Sequence, residues 1–368
     1  MATELPVPET KVLAVASHGK PHQGQTEQAP LTVLYYRNVG NKIAVFALQS
    51  LGCEVSALNT VQFSNHTGYK QWTGSKVSAE EISSLYQGLK QSYLDDFDMM
   101  LSGYIPGADA VAAVGRIGKD LREKSLAQST PGSFFWVLDP VMGDNGRLYV
   151  AEEVVPAYQA LVEYADLVLP NQFEAELLSG VKITDMASLK SAIQALHERY
   201  HIPHIVITSV NLPDQPAGHL SVVGSSMTSN FKPRLFQIVF PAIDCYFSGT
   251  GDMFGALITV RMRQAVFGKA SAPSELQQKR SWLSDDDTAV LDLPLVHAVE
   301  MVLASMHEVL TKTAEGMAVA SKAVDGAKTG AVDEKAAHLA RSKSAELKLV
   351  RNLASLREPV VEYKAKKI

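Results

Sequence analysis

The amino-acid sequence predicts an α/β protein, a three-layer α/β/α sandwich with a mostly parallel central sheet. Three observations predict it. Short apolar runs alternate with segments of helical period, the alternation covers more than half of the 368 residues, and it ends in two strand-like runs suited to an antiparallel hairpin. Ligand sites in such folds lie beyond the C-terminal ends of the parallel strands.

The first strand is read at 12–16, Val-Leu-Ala-Val-Ala. A helix follows at 41–51, with Ile43, Phe46, Ala47 and Leu51 on one face and Gly52 where it stops; the next strand is 55–58. Ile82, Leu85, Tyr86 and Leu89 mark a second helix, and 99–103 a third strand. Helix 108–123, strand 134–138 and helix 154–164, with Pro156 in its first turn, continue the rhythm into a brief strand at 168–169. Helices at 173–179 and 189–200 precede an Ile-Val-Ile strand at 204–208, and 220–223 with 235–239 form the hairpin. A last polar turn opens an apolar helix running to about Arg263.

Residues 265–292 are rich in Ser, Ala, Pro and charge and read as a surface insertion. Leu295, Val299, Val302 and Met306 restore helical spacing, whereas 313–343 has little to bury and reads as exposed helix or a mobile loop. The expected organisation is a disordered tail at 1–11 and a single domain over 12–368, with atypical insertions at 19–37 and 265–292.

A chain with 46% hydrophobic and 20% charged residues can bury a large core. Its net charge of −5 gives no general reason to bind nucleic acid or an anionic membrane. No apolar run approaches the roughly 20 residues that span a bilayer, and the first residues lack the basic start and apolar core of a secretory signal. Cys53 and Cys245 are too few for a disulfide framework and lack metal-ligand spacing. These features point to a cytoplasmic protein, with the nucleus also open to it, that acts on a small molecule.

Four segments carry chemistry. In Gly249-Thr250-Gly251-Asp252, the glycines let the backbone approach a ligand and the helix N-terminus offers N–H groups to a phosphoryl group in transfer. Asp252, in the first helical turn, is placed to take a proton from an attacking hydroxyl. An isolated tetrapeptide of this kind is more often a plain glycine turn, with Thr250 or Asp252 as helix cap. Asp139-Pro-Val-Met-Gly-Asp144 follows a buried strand and sets two carboxylates where a hard cation and nucleotide phosphates bind. Asn171 and Glu174 open a helix after another strand, as a capping-box pair or as polar groups of the same site. Val61-Gln-Phe63-Ser-Asn-His66-Thr67-Gly-Tyr69 supplies stacking and hydrogen-bonding groups for a flat heteroaromatic ring. His197-Glu-Arg-Tyr-His201 matches the zinc-peptidase pattern, but Pro203 puts His201 at a fraying helix end without a third ligand. No Gly-x-Gly-x-x-Gly or Gly-Lys-Ser/Thr motif is present, against Rossmann and P-loop nucleotide sites.

Taken together these segments resemble the pyridoxal kinases of the ribokinase-like superfamily, from about Val12 to the C-terminus. The resemblance implies ATP-dependent phosphorylation of the 5′-hydroxyl of pyridoxal, pyridoxine and pyridoxamine. It implies Asp252 as base, Gly249, Thr250 and Gly251 as anion hole, and Ser17, Val39, Val61, Phe63, Thr67 and Tyr104 around the pyridine ring. Asp139, Asp144, Asn171, Glu174, Thr208 and Ser209 would serve phosphates and cations, with Asp139, Asp144 and Glu174 as metal residues and Tyr149 near the nucleotide. Mg²⁺ or Zn²⁺ with ATP, activation by K⁺ and a homodimer are implied as well.

Two departures stand out. Leu169 occupies a position where the family often has a hydroxyl residue, so a monovalent-cation ligand there would be the backbone carbonyl. Between Ser17-His18 and Val39-Gly40-Asn41 the family has about five residues, whereas here the connection is Gly19 to Asn38. Gly19-Lys20 can be encoded by a donor-like GGTAAG and Leu31-Thr32 by a branch-point-like CTAAC, so translated intron and genuine loop insertion both stay open. A hydroxymethylpyrimidine kinase of the same fold, or a non-catalytic relative with an altered substrate wall, are the competing readings.

Overall fold

A two-residue alternation along the strands sorts the core into two layers. Val12, Ala14, Met99, Leu101, Phe135 and Val137 face one hydrophobic core. Leu13, Val15, Met100, Trp136 and Leu138 face the other. The computed structural model describes residues 5–17, 39–65, 69, 71–268, 275–326 and 334–368, with backbone alone at 319–326, 334, 336 and 337.

The first half contains β1 (Lys11–Ala16), α1 (Asn41–Ser50), β2 (Glu54–Asn59), β3 (Val61–Phe63), β4 (Gly74–Lys76), α2 (Ala79–Gln91), β5 (Met99–Ser102) and α3 (Ala108–Ala127). Next come β6 (Phe135–Leu138), β7 (Gly143–Asp144), β8 (Arg147–Leu148), α4 (Val154–Gln159), β9 (Leu167–Val168), α5 (Gln172–Ser179) and α6 (Met186–Tyr200). The chain continues with β10 (His204–Val210), β11 (His219–Met227), β12 (Pro233–Pro241) and α7 (Thr250–Phe267). It closes with α8 (Pro294–Gly326), α9 (Glu334–Ser344), α10 (Leu353–Arg357) and β13 (Lys366–Lys367).

Nine strands form one sheet in the order β2-β1-β5-β6-β9-β10-β11-β12-β13. From β2 to β10 the pairs are parallel, and from β10 onward antiparallel. Helices α1, α7, α8 and α10 cover one face and α2 to α6 the other, which is the α/β/α sandwich expected. The chain passes from β1 out to β2 and then returns to the far side of β1 for β5. That reversal opens a crevice at the strand C-termini between β1 and β5.

Several expectations need correction. The helix read at 154–164 is α4 followed by a separate 3₁₀ turn at Val162–Tyr164. The tail read as disordered at 1–11 is held over its described part: Val7 is buried in the core, Thr10 accepts from Arg263 Nε at 2.9 Å, and Lys11 already belongs to β1. Within 265–292, α7 runs on to Phe267, and Trp282 is fully buried. Its ring stacks on Phe135 at 4.2 Å and its Nε1 donates to the Gly132 carbonyl at 2.8 Å. Trp282, with Val290 in the same core and Leu276 packed against it, docks the segment on the sheet. Residues 313–326 continue α8, and α9 carries most of the rest of 313–343. The 19–37 insertion lies outside the described residues. Among the described residues no helix is long and apolar enough to cross a membrane.

The zinc-peptidase pattern is structural. His197 is buried, donating from Nδ1 to the Ile202 carbonyl and accepting at Nε2 from Ser225, both at 2.7 Å, while His201 is the left-handed C-cap of α6. His204 is likewise buried between Ser226 and the Ser281 carbonyl. Burial lowers both imidazoles from 6.5 to about 4, against the raising effect of their carbonyl partners. A depressed histidine value stabilises the fold fully above pH 6.5 and progressively less as pH falls toward 4. Unfolding in urea should therefore show a loss of roughly 2 kcal/mol per histidine between pH 7 and pH 5, and His204→Gln should flatten this dependence. Equal pH dependence in the variant and the parent protein would disprove the assignment.

Candidate active site

The C-terminal ends of the parallel strands converge on one open cavity of about 580 Å³. Ser17 follows β1, Tyr104 follows β5, Asp139 follows β6, Asn171 follows β9, and Thr208 and Ser209 end β10; all line this cavity. Val39, Asp144, Tyr149, Glu174 and the whole Gly249-Thr250-Gly251-Asp252 turn line it too. The structure thus brings together nearly every residue singled out in the sequence. Val61 and Phe63 instead stand behind Tyr104 in a small apolar cluster, where Phe63 meets Trp72 at 4.4 Å. Thr67, like His66, lies outside the described residues.

The Gly249 to Asp252 turn touches both halves of the cavity. On the β1 side, the Gly40 N–H donates to Asp252 Oδ2 at 2.8 Å, and Asn41 N–H donates to the Ser17 carbonyl at 2.8 Å. On the β6 side, Asp139 Oδ2 lies 3.6 Å from where a Cβ on Gly251 would sit. Two positions in this arrangement require glycine. Gly249 caps α7 in the left-handed region at φ 85°, and Gly40 has φ 58° with a Cβ position only 1.7 Å from the Ser17 carbonyl oxygen. Asn41 locks the same corner by donating to the Leu58 carbonyl at 2.9 Å and to Asn59 Oδ1 at 3.0 Å.

On the opposite wall Glu174 is buried and acts as an anchor. Its Oε1 accepts the Met142 N–H at 2.8 Å and the Gly143 N–H at 3.3 Å, and its Oε2 accepts the Asn171 N–H at 2.9 Å. Asn171 caps α5 in a full capping box and donates Nδ2 to the Gly143 carbonyl at 2.7 Å. The capping and site roles weighed for this pair are therefore one arrangement. Asp144 accepts the Asn145 N–H at 2.8 Å in the tight β7–β8 turn. The Thr208 N–H donates to the Pro170 carbonyl at 3.0 Å, tying the end of β10 to the same loop.

Burial raises the Tyr104 hydroxyl pKa, keeping it a neutral donor. Burial first, then Asp144, Tyr246 and Glu174, raises that of Tyr149. Sequence reasoning missed Val141, Leu148, Tyr246, Phe247 and Ser248, which also line the cavity. Their only signal was adjacency to the motifs.

A family model described as phosphomethylpyrimidine kinase matches residues 114–270. A putative pyridoxal kinase of Schizosaccharomyces pombe is 36% identical over 277 residues, 75% of this chain and 82% of that protein. The chain belongs to the pyridoxal kinase family. The family's human member, a pyridoxal kinase, is 37% identical over 230 residues, covering 60% of this chain and 72% of the relative. A solved pyridoxal kinase from Leishmania donovani in complex with ADP has a TM-score of 0.73 at 29% identity, over 97% of this chain and 99% of that one. The same enzyme has been solved with ADP and pyridoxamine, at a TM-score of 0.72 and 28% identity over 98% of this chain and 100% of that one.

Because a side chain at position 40 would strike a backbone carbonyl, Gly40→Ala should displace the N–H that holds Asp252. In steady-state assays of phosphoryl transfer it should lower turnover on the order of a hundredfold while thermal unfolding stays cooperative. Unchanged turnover would show that this contact does not orient Asp252.

Proposed function

We propose that this chain is an ATP-dependent kinase of B6 vitamers, acting on the 5′-hydroxyl of pyridoxal, pyridoxine and pyridoxamine. The observation that carries the reading is the one cavity in which the Gly249 to Asp252 turn meets the β1 and β5 ends on one side and the Asp139, Asn171 and Thr208 ends on the other. Membership of the pyridoxal kinase family supports the substrate class.

In this reading the vitamer lies against Ser17, Val39 and Tyr104, with Val61 and Phe63 packed against Tyr104 and Thr67 assigned to the vitamer by the family resemblance alone. The nucleotide takes the side of Tyr149, Asn171, Glu174, Thr208 and Ser209. Asp252 accepts the proton of the 5′-hydroxyl as that oxygen attacks the γ-phosphorus, and the N–H groups at the start of α7 stabilise the charge on the transferred group. The carboxylates Asp139 and Asp144, both lining the cavity, fit a hard cation shared with phosphates. Among the described residues no three His, Cys, Asp or Glu side chains are grouped to hold a metal by themselves. Mg²⁺ or Zn²⁺ entering with ATP would neutralise phosphate charge there, with Glu174 holding the loop that carries Asp144. K⁺ would take the Leu169 carbonyl. Cys53 and Cys245 are both free, as a reducing cytoplasm permits, and the family resemblance favours a homodimer.

A hydroxymethylpyrimidine kinase is the neighbouring reading. The matched phosphomethylpyrimidine kinase model begins at residue 114 and leaves out the β3–β4 ribbon, and that ribbon carries the residues favouring a B6 vitamer. With both compounds offered to the purified protein and ATP, pyridoxal should be phosphorylated in preference; preference for hydroxymethylpyrimidine would overturn the assignment. Asp252→Asn should lower kcat by about 10² to 10⁴ with little change in the KM for ATP, and a variant with full turnover would remove Asp252 as base.

A further inference from the structure

Tyr69, in the connection between β3 and β4, donates its hydroxyl to Glu346 Oε1. Both residues are buried, at 9% and 4% exposure. Glu346 lies just beyond α9, in a segment the kinase reading leaves without a role. Its neighbour Leu347, together with Leu349, is buried in the core that contains Val309 of α8. The Lys348 N–H reaches Thr313 Oγ1 of the same helix at 3.4 Å. The segment is therefore fixed to the helical layer.

The same segment meets the catalytic turn. Ser248, directly before Gly249, donates its N–H to the Ala345 carbonyl at 3.3 Å and pairs with Glu346 in a parallel β-bridge. Ser248 lines the cavity. Glu346 thus touches, through its backbone, the strand-like stretch leading into the anion hole and, through its carboxyl group, the connection of the β3–β4 ribbon. Phe63 and Trp72 fix that ribbon's two sides to each other, and Asn65 Nδ2 donates to the Gln71 carbonyl at 2.8 Å across its end. Tyr69 stands between Asn65 and Gln71, in the loop that this bond closes.

We propose that Glu346 is a positioning residue that sets the vitamer-side ribbon against the phosphoryl-transfer turn. The inference rests on the B6-kinase reading and adds a residue to it. A hydrogen bond to a carboxyl group shielded from water is stronger and more directional than its surface counterpart. The hydroxyl comes from the β3–β4 connection, while the backbone bridge of Glu346 to Ser248 does not need that bond, so loss of the bond acts on vitamer binding and leaves nucleotide binding alone.

The test measures both Michaelis constants in the full-length protein for Tyr69→Phe, Glu346→Ala, Glu346→Gln and the Tyr69→Phe/Glu346→Ala pair. Tyr69→Phe removes only the donor and decides the matter if Glu346→Ala does not fold. The expected result is a KM for pyridoxal raised about tenfold in Tyr69→Phe and Glu346→Ala, a KM for ATP within about twofold, and a double variant no worse than the poorer single one. Glu346→Gln, which keeps an acceptor oxygen, should recover most of the loss. Parallel changes in both constants, or none in either, would overturn the proposal while the parent protein still phosphorylates pyridoxal. A parent protein without that activity would remove the kinase reading, and this inference with it.

Discussion

Three backbone N–H groups, from Met142, Gly143 and Asn171, end on the two carboxylate oxygens of Glu174. They come from connections that follow two different strands, β6 and β9, and Asn171 closes the circuit through the Gly143 carbonyl. A carboxylate with 3% exposure is costly unless paired; here the three donors and the N-terminal end of α5 offset that cost. The consequence reaches beyond one helix cap. Asp139, Asp144 and Asn171 can face one cavity only while these two loops hold a fixed distance, and Glu174 is what holds it.

Much of the fold was legible because each buried strand carries its own alternation. Val12 to Ala16 or Phe135 to Leu138 names its faces without reference to any partner, and the rule that sites lie past strand C-termini then placed Ser17, Asp139 and Asn171 together. What was not legible depends on pairings between short or distant pieces. β3 and β4 are three residues each and β13 is two, too short to show a period. Val7 and Trp282 stand in polar surroundings, and only the structure shows the core that receives them. Glu346 meets Tyr69 across 277 positions of sequence, and no local pattern can announce such a contact.

The corner around Gly40 shows how a motif residue is placed by a part of the chain with no motif of its own. The Ser17 carbonyl and the Asn41 N–H are hydrogen-bonded, so the two flanks of the long connection after β1 lie side by side. Whatever the origin of residues 19–37, a short link suffices to join those flanks. Gly40 meets Asp252 directly, and Asn41 fixes Gly40 against the end of β1.

The Gly249 to Asp252 turn was the segment for which a plain helix cap was the competing explanation, and the place of that cap argues against it. The N-caps of α2, α5 and α6 are Ser78, Asn171 and Asp185, and each accepts a hydrogen bond from its own first turn. Helix α7, like α1 and α3, has a glycine N-cap with no side chain to offer, and of the three caps Gly249 is the one that lines the cavity. A helix that buries Met253, Ala256 and Leu257 so completely would gain about 1 kcal/mol from a serine or aspartate cap. A left-handed glycine forgoes that gain and leaves the first-turn N–H groups directed at the cavity, where an outside anion can take the place of a cap. The sequence is thus less stabilising locally than it could be, at a helix start whose N-cap and first turn line the cavity.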